Sequence, residues 1–290
     1  MARIEELNKM IVENYDIKNF KTNGVAWPYE LKQRFNSDEL KNGYFEFQKK
    51  SLEIFNKKLS VKPHILSNFL YKLACDDNVL DKVKEIIGDN IYIWSSAFFS
   101  KAPGEGKIVS FHQDNPYWQL STTNVVTAWI ALTNSDKRSG ALQAVPKTHT
   151  IGLIKKLDVK NARKSYLNGE KTTPDNDLLS YSQNLENFIK KNPPLTLNLK
   201  PGQFSIHHVN TVHGSGVNKS ENHRVGFAVR YVSSDTQHIE ENEDFATHVM
   251  GDKNNYYKDE ITPDKEFSDK SIKQYKISMN STGVFGNKKY

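Results

Sequence analysis

The sequence predicts a mainly β chain in which helices come first and a β-sandwich or jelly roll follows. After residue 90, short runs rich in β-branched and aromatic residues alternate with turns of Gly, Pro, Asn and Ser. Because helical patterns do not separate these runs, a doubly wound parallel sheet is disfavoured. The predicted strands are Ile91–Phe99, Val109–Asp114, Val125–Leu132, Ala141–Val145, Leu195–Leu199, Phe204–Val212 and Arg224–Val232.

Residues 1–90 are predicted to be helical. Ser37 is expected to cap the N-terminus of one helix. Apolar residues of this helix recur at spacings of 4, 3 and 7 and therefore share one stripe, which consists of Leu40, Tyr44, Phe47 and Ile54. A second helix is expected to stop at Gly88, with an apolar face made of Leu80, Val83 and Ile87.

Length and composition favour a single domain that spans residues 1–290. Aromatic residues make up 11% of the chain and occur in periodic runs, which excludes general disorder. The 40 Lys and Arg exceed the 34 Asp and Glu by 6, but these charges are spread along the chain without a basic motif interleaved with aromatic residues. We therefore expect neither nucleic acid nor a membrane as partner, and the sequence leaves the oligomeric state open.

The predicted domain has four parts: a helical region at 1–90, a β core at about 91–235, a polar insertion at 149–194 within that core, and a polar C-terminal segment at 236–290. An insertion of this length is often functional, so we predict a mobile, lid-like cover. In the alternative, it is an ordered decoration in which a helix docks through Leu178, Leu179, Leu185 and Ile189.

Cysteine usage and the N-terminus bear on the cellular compartment. Cys75 is the one cysteine, so it cannot close an intramolecular disulfide. The segment Met1–Asn19 lacks the apolar core of a secretory peptide, and the longest apolar run is far too short to span a membrane. A cytoplasmic location is therefore expected.

The most informative motif is His112-Gln113-Asp114. In a strand, residues i and i+2 share a face and lie about 6.6 Å apart, so His112 and Asp114 can reach one metal ion. His213, which precedes Gly214 and Ser215 at the end of a later predicted strand, is expected to supply a third ligand. Two histidines and one carboxylate on one face leave three positions open, as in non-haem Fe(II) oxygenases.

His207 competes with His213 for the role of third ligand. Six residues of extended strand would place His207 about 20 Å from His213, so both cannot bind one metal unless the strand breaks. His213 is preferred because the residues after it permit a turn beside the metal. His207 and His208 are interpreted as core residues or as supports of the ligands.

The run from Arg224 to Arg230 alternates in a way that places both arginines on one face with Gly226 and Ala228. An arginine beside small residues on an inner face forms a pocket that ends in a cation. A guanidinium binds a dicarboxylate through two parallel hydrogen bonds, which lysine cannot do. The alternative is a surface arginine on an edge strand.

In this order, these residues resemble the phytanoyl-CoA dioxygenase family of Fe(II)/2-oxoglutarate oxygenases, from about residue 19 to 252. The resemblance rests on Trp94–Lys101, Phe111–Trp118, Val126–Leu132, Ser139–His149, and His213–Ser215 with Arg224 beyond it. It implies a double-stranded β-helix, a cupin-like jelly roll, with iron held by His112, Asp114 and His213. It further implies that Arg224 and Ser215 bind the far carboxylate of 2-oxoglutarate, that Trp129 lines that pocket, and that O2 is the other cosubstrate.

The resemblance also implies a reaction: hydroxylation of a C–H bond of a small organic substrate, with release of succinate and CO2. The expected substrates are amines, quaternary ammonium compounds, aminophosphonates or amino-acid-like compounds. Substrate contacts are expected from residues near the iron, although core packing explains the aromatic ones equally well. These candidates are Phe99, Lys101, Tyr117, Trp118 and Arg230.

Two other functions stay open at this point. A related non-haem iron halogenase would need Gly or Ala in place of the carboxylate, so Asp114 argues against it. A non-catalytic cupin-like binding module would tolerate loss of the ligands or of the arginine, yet all of them are present.

Overall fold

Two β-sheets form the core of the computed structural model, which describes residues 15–154, 161, 173–179, 183–239 and 244–280. The larger sheet has the spatial order β1 (Val25–Glu30), β7 (Gln203–His208), β4 (Val125–Ala131), β9 (Arg224–Ser233), β2 (Ile91–Lys101), β10 (Asp244–Met250), β11 (Tyr257–Asp259). The smaller sheet has the order β3 (Val109–His112), β8 (Val212–Ser215), β5 (Gln143–Val145), β6 (Leu195–Thr196). Neighbouring strands are antiparallel except β10 and β11. The mainly β, jelly-roll prediction is confirmed.

Four of the helices in the described chain cover one face of the larger sheet. The helices are α1 (Phe20–Asn23), α2 (Ser37–Phe55), α3 (Asn68–Ala74), α4 (Asp77–Ile87), α5 (Asn115–Trp118), α6 (Glu186–Lys191) and α7 (Asp269–Asn280). Apolar residues of α2, α3, α4 and α7 form one buried cluster with alternate residues of β2, β4, β7 and β9. The opposite face of the same strands is therefore left to face the smaller sheet. No helix among the described residues is long and apolar enough to cross a membrane.

The two predicted helices are present, with small differences at their ends. Asn36, rather than Ser37, caps α2, because its side chain accepts from the Glu39 amide while the Glu39 carboxylate accepts from the Asn36 amide. Ile54 is 45% exposed, so the buried stripe of α2 ends earlier than predicted. The helix α4 ends just before Gly88, which has a φ of +89°.

Other elements were not predicted. The strand β1 lies in the region predicted to be helical, and β10, β11 and α7 lie in the polar C-terminal segment. The predicted strand Phe204–Val212 is in fact two strands, β7 and β8. Between them the Thr211 amide donates to the His208 carbonyl at 2.8 Å, which closes a turn and reverses the chain.

Of the 46 residues of the predicted insertion at 149–194, 20 lie outside the described residues. A described piece is bonded to the core, since the Ile108 amide donates to the Asn176 carbonyl and the Leu178 amide donates to the Ile108 carbonyl, each at 2.9 Å. Leu178 and Leu179 lie outside any helix, whereas Leu185 is buried just before α6. The lid-like cover stays a prediction.

Lys62 and Glu260 form a buried ion pair that ties the helical region to the C-terminal segment. Their Nζ and Oε1 atoms are 2.5 Å apart, and the side chains are 3% and 0% exposed. The Lys62 ammonium also donates to the Phe245 carbonyl, and Glu260 accepts from the Thr247 hydroxyl. Both charges are thus fully engaged by protein groups.

Replacing Lys62 by Met is expected to lower the free energy of unfolding by roughly 3–5 kcal/mol, because it leaves a buried carboxylate without its cation. Lys32→Met is the matched control, since the Lys32–Asp77 pair is 68% and 65% exposed and should contribute less than about 1 kcal/mol. Urea denaturation measures both. Equal losses in the two variants would contradict a special role for the buried pair.

Candidate metal and cosubstrate site

A cavity lies between the two sheets, on the face of the larger sheet that the helices leave free. Side chains from β2, β4, β7 and β9 meet side chains from β3 and β8 there. The predicted site residues that line this cavity are Phe99, His112, Asp114, Trp129, His213, Ser215, Arg224 and Arg230. The fold therefore brings together residues that are distant in the sequence.

His112, Asp114 and His213 place one ligand atom each within 4.8 Å of one another, so a single ion can contact all three. The pairing of β3 with β8 sets His112 opposite His213, and their ring centroids are 4.3 Å apart. Asp114 follows β3, with its carboxylate oxygens 3.4 Å from Nε2 of His112 and 3.9 Å from Nε2 of His213.

Hydrogen bonds to the backbone orient both imidazoles. Nδ1 of His112 lies 2.8 Å from the Ser110 carbonyl oxygen, and Nδ1 of His213 lies 2.9 Å from the Thr211 carbonyl oxygen. A carbonyl only accepts, so each Nδ1 carries the proton and each Nε2 presents its lone pair toward Asp114. This is the arrangement that supports histidine ligands in metal sites.

The pKa shifts of His213 and Asp114 suit a metal ion. Burial, together with the nearby His112, lowers the pKa of His213 to about 4, so this ring is neutral at pH 7. Burial alone would raise the pKa of Asp114, but the neighbouring His213 and His112 outweigh it and hold that pKa well below its usual range. Neutral imidazoles and an ionised carboxylate are the forms that bind metals, and this donor set fits Fe(II).

Arg224 lies in the same cavity and is 1% exposed. Its terminal nitrogens donate to the Phe99 carbonyl at 3.0 Å and to the Gly140 carbonyl at 2.8 Å. Its Nε has no hydrogen-bond partner, and no ion pair with a carboxylate forms within the described part of the chain. The guanidinium carbon is 5.5 Å from the centroid of a Trp129 ring. The buried positive charge is therefore available to an anion.

Trp129 occupies its place because residue 226 is a glycine. A Cβ at Gly226 would lie 1.8 Å from Cζ2 of the Trp129 indole, so any other residue would displace the ring. Ala228 on β9 pairs with Trp129 on β4, and Gly226 lies two residues before Ala228 on the same face. The small residues of the Arg224–Arg230 alternation make room for the pocket wall, as predicted.

Lys101, predicted as a substrate contact, lies at the Arg224 end of the site instead. The register of β2 with β9 sets Lys101 opposite Arg224. Its ammonium donates to the Ser215 hydroxyl at 2.6 Å and to the Gly216 carbonyl at 2.5 Å. Burial, and secondly the charge of Arg224, lowers the pKa of Lys101 to about 6. Two basic side chains thus meet at Ser215, and the shift of the Lys101 pKa favours the neutral amine at pH 7.

Tyr117 and Trp118, also predicted as substrate contacts, do not line the cavity. Trp118 is 5% exposed and packs edge-on against Trp94 at a centroid distance of 5.4 Å. Tyr117 lies with its ring centroid 5.6 Å from that of His112. Trp118 is therefore a core residue, and of the predicted substrate contacts Phe99 and Arg230 remain in the cavity.

His207 lies beside the three candidate ligands, so the predicted separation of about 20 Å from His213 is wrong. The ring centroids of His207 and His213 are 4.4 Å apart, and Nε2 of His207 is 4.0 Å from a carboxylate oxygen of Asp114. The turn between β7 and β8 folds the chain back and causes this approach. In the sequence, the turn-forming residues Asn210 and Thr211 indicated that the predicted strand is interrupted here.

The fold and the site together define a class of protein. A jelly roll that holds two histidines and one aspartate between its sheets has the architecture and donor set of the non-haem iron, 2-oxoglutarate-dependent oxygenases. The model of the phytanoyl-CoA dioxygenase (PhyH) family matches residues 25–226. The chain belongs to this family, which confirms the resemblance inferred from the sequence.

Known relatives are similar at low identity. The probable alpha-ketoglutarate-dependent hypophosphite dioxygenase of Stutzerimonas stutzeri is 24% identical over 67% of this chain and 64% of its own length. The peroxisomal phytanoyl-CoA dioxygenase of Mus musculus is 26% identical over 59% of this chain and 48% of its own. The matched region thus spans about half to two thirds of the length of such curated relatives.

A solved structure shares the fold over nearly the whole chain. The apo form of the non-heme monooxygenase ThoJ superposes with a TM-score of 0.71 at 20% identity and covers 91% of this chain and 94% of that one. At this level of identity the likeness concerns the fold alone.

Proposed function

We propose that this protein is an Fe(II)- and 2-oxoglutarate-dependent dioxygenase that hydroxylates a C–H bond of a small organic substrate and releases succinate and CO2. The observation that carries the proposal is that one buried cavity contains both a three-ligand metal site and a buried guanidinium that lacks a carboxylate partner in the described chain. O2 is the second cosubstrate in this proposal.

His112, Asp114 and His213 would hold the iron, since all three can contact one ion. Bound Fe(II) and the carboxylate of Asp114 would together carry a net positive charge that attracts the oxygens of 2-oxoglutarate. The bound iron supplies the oxidising chemistry, while the protein orients the substrate and limits side reactions.

Arg224 and Ser215 would bind the far carboxylate of 2-oxoglutarate. The planar fork of a guanidinium matches both carboxylate oxygens. Because Ser215 Oγ accepts from Lys101, its own proton remains free to be donated to the carboxylate. Trp129 forms the wall beside Arg224 and, being buried, excludes water that would weaken this ion pair.

The substrate is proposed to be a small molecule, either an amine, a quaternary ammonium compound, an aminophosphonate or an amino-acid-like compound. Two relatives are named after small polar substrates: the probable hypophosphite dioxygenase and the ectoine dioxygenase of Halomonas elongata. The halogenase alternative is disfavoured, because the carboxylate of Asp114 occupies the position that a halide would need. A cytoplasmic location is part of the proposal and rests on the sequence alone.

An anaerobic absorption experiment tests the proposal before any substrate is known. Addition of Fe(II) and 2-oxoglutarate should give the weak visible charge-transfer band of a chelated cosubstrate, because the three-ligand site leaves adjacent open positions. Glutarate, which lacks the 2-oxo group, is the control and should give no band. Protein that contains iron but develops no band with 2-oxoglutarate would refute the cosubstrate assignment.

A further inference from the structure

Three polar side chains lie in a row across the larger sheet and face the cavity. Thr127 on β4 pairs with His207 on β7 and with Arg230 on β9. Directly opposed residues of neighbouring antiparallel strands project from the same face, and all three line the cavity. The His207 end of the row is 4.0 Å from Asp114, so the row begins beside the metal ligands.

Each member of the row carries buried polar atoms that have no protein partner. Both ring nitrogens of His207, the hydroxyl of Thr127, and Nε and one terminal nitrogen of Arg230 make no hydrogen bond within the described chain. The three side chains are 2%, 3% and 7% exposed. Buried donors in native proteins are nearly always satisfied, so a group of orphans around one cavity indicates a ligand.

The charge of Arg230 defines the sign of that ligand. A guanidinium stays protonated in proteins, and no carboxylate forms an ion pair with Arg230 in the described residues. Its carbon lies 5.8 Å from the ring centroid of Phe99 and 5.7 Å from a ring centroid of Trp118. These aromatic contacts engage the faces of the guanidinium and leave donors on its edge free.

Other anions of the site are already committed. The carboxylate of Asp114 belongs to the metal site, and the proposed function directs the far carboxylate of 2-oxoglutarate to Arg224 and its other end to the iron. Arg230 therefore remains a buried cation with no counterion after iron and cosubstrate have bound. Such an uncompensated charge is strongly unfavourable unless a ligand neutralises it.

We propose that Arg230, Thr127 and His207 form a subsite for the anionic head group of the substrate, a carboxylate or a phosphorus oxyanion. Arg230 binds two oxygens of the anion, and the Thr127 hydroxyl and the His207 ring N–H donate to the others. The substrate class is therefore a small anion or zwitterion, and a quaternary ammonium compound fits only if it also carries such a group. This inference rests on the proposed function, because it takes 2-oxoglutarate to occupy Arg224.

The experiment uses the full chain with Fe(II) and 2-oxoglutarate under anaerobic conditions. Hypophosphite, methylphosphonate and acetate are titrated separately, and binding is followed by calorimetry and by the shift of the charge-transfer band. At least one of these anions should bind saturably while 2-oxoglutarate stays bound, and choline should not bind. A band that forms normally, with no anion bound, would overturn the subsite. Absence of the band itself would instead refute the proposed function.

Variants locate the binding. Arg230→Gln should weaken the binding of the anion at least about tenfold without changing the affinity for 2-oxoglutarate. The isosteric Thr127→Val should weaken the binding of the anion several-fold. Arg138→Gln is the matched control, since Arg138 is 68% exposed, and should bind as the native protein does. Because Thr127→Val removes one hydroxyl without changing the shape of the side chain, it tests the row even if Arg230→Gln folds poorly.

Two results would assign the row to another role. The anion could bind only by displacing 2-oxoglutarate, or Arg230→Gln could weaken the binding of 2-oxoglutarate rather than that of the anion. Either result would place Arg230 in the cosubstrate site and overturn the proposed subsite. If His207→Asn loses iron and keeps its anion affinity, His207 is a metal ligand and its place in the subsite is overturned. Loss of anion affinity with iron retained supports the assignment.

Discussion

Replacing Asp114 by glycine is expected to abolish substrate hydroxylation and to weaken Fe(II) binding by at least about a hundredfold. The change removes one of the three ligands that can contact a single ion. Mutation of residues that merely support metal ligands already lowers metal affinity or activity 10- to 100-fold. It also removes the carboxylate that offsets part of the charge of the metal. The measurements are iron content after dialysis and succinate released per protein.

Two companion variants make this result specific to the ligand. Asp114→Glu retains a carboxylate on a longer side chain and should keep a measurable part of the iron affinity. Asp136→Gly removes a carboxylate from a surface turn, where it accepts from the Ser139 amide, and should leave the iron affinity unchanged. Full hydroxylation by Asp114→Gly would show that Asp114 is not a ligand.

The part of the metal site that could be predicted depends on local geometry. A strand repeats every two residues, and this spacing predicts a common face for His112 and Asp114. In the structure β3 ends at His112, and Asp114 lies just beyond it with helical backbone angles. The choice of His213 as their partner required only that a later strand end beside them, and β8 pairs with β3 in that way. Spacing and strand order thus pointed to three residues that the fold does bring together.

What the sequence did not give are properties that only the tertiary structure defines. His207 was placed far from His213 because Val209 and Val212 make the segment look like one continuous strand, which hides the turn at Thr211. The position of Lys101 opposite Arg224 could not be predicted, because the register of β2 against β9 cannot be read from either strand. Strands such as β10, in a polar segment, lacked the apolar alternation on which their prediction depends.

Replacing Arg224 by glutamine is expected to weaken the binding of 2-oxoglutarate at least about 30-fold, which corresponds to roughly 2 kcal/mol of binding free energy. This is the lower end of the loss seen when one partner of a buried charge pair is removed. The glutamine can still accept or donate a hydrogen bond, but the cation and its fork are gone. Arg224→Lys should fall between the native protein and Arg224→Gln, because the charge remains while the two-point contact is lost. Titration of the anaerobic charge-transfer band gives the affinities.

The affinity for Fe(II) and the dependence on pH separate a cosubstrate role for Arg224 from a structural one. Iron binding should be unchanged in both variants, as in the exposed control Arg138→Gln. Residual binding of 2-oxoglutarate by Arg224→Gln should decrease as the pH rises, because protonated Lys101 attracts the dianion and loses this attraction on deprotonation. Burial and the neighbouring Arg224 lower the pKa of Lys101 to about 6 in the native protein, and removal of Arg224 should move this decrease to higher pH. Loss of iron affinity with unchanged 2-oxoglutarate binding would make Arg224 structural and would leave Arg230 as the cosubstrate residue.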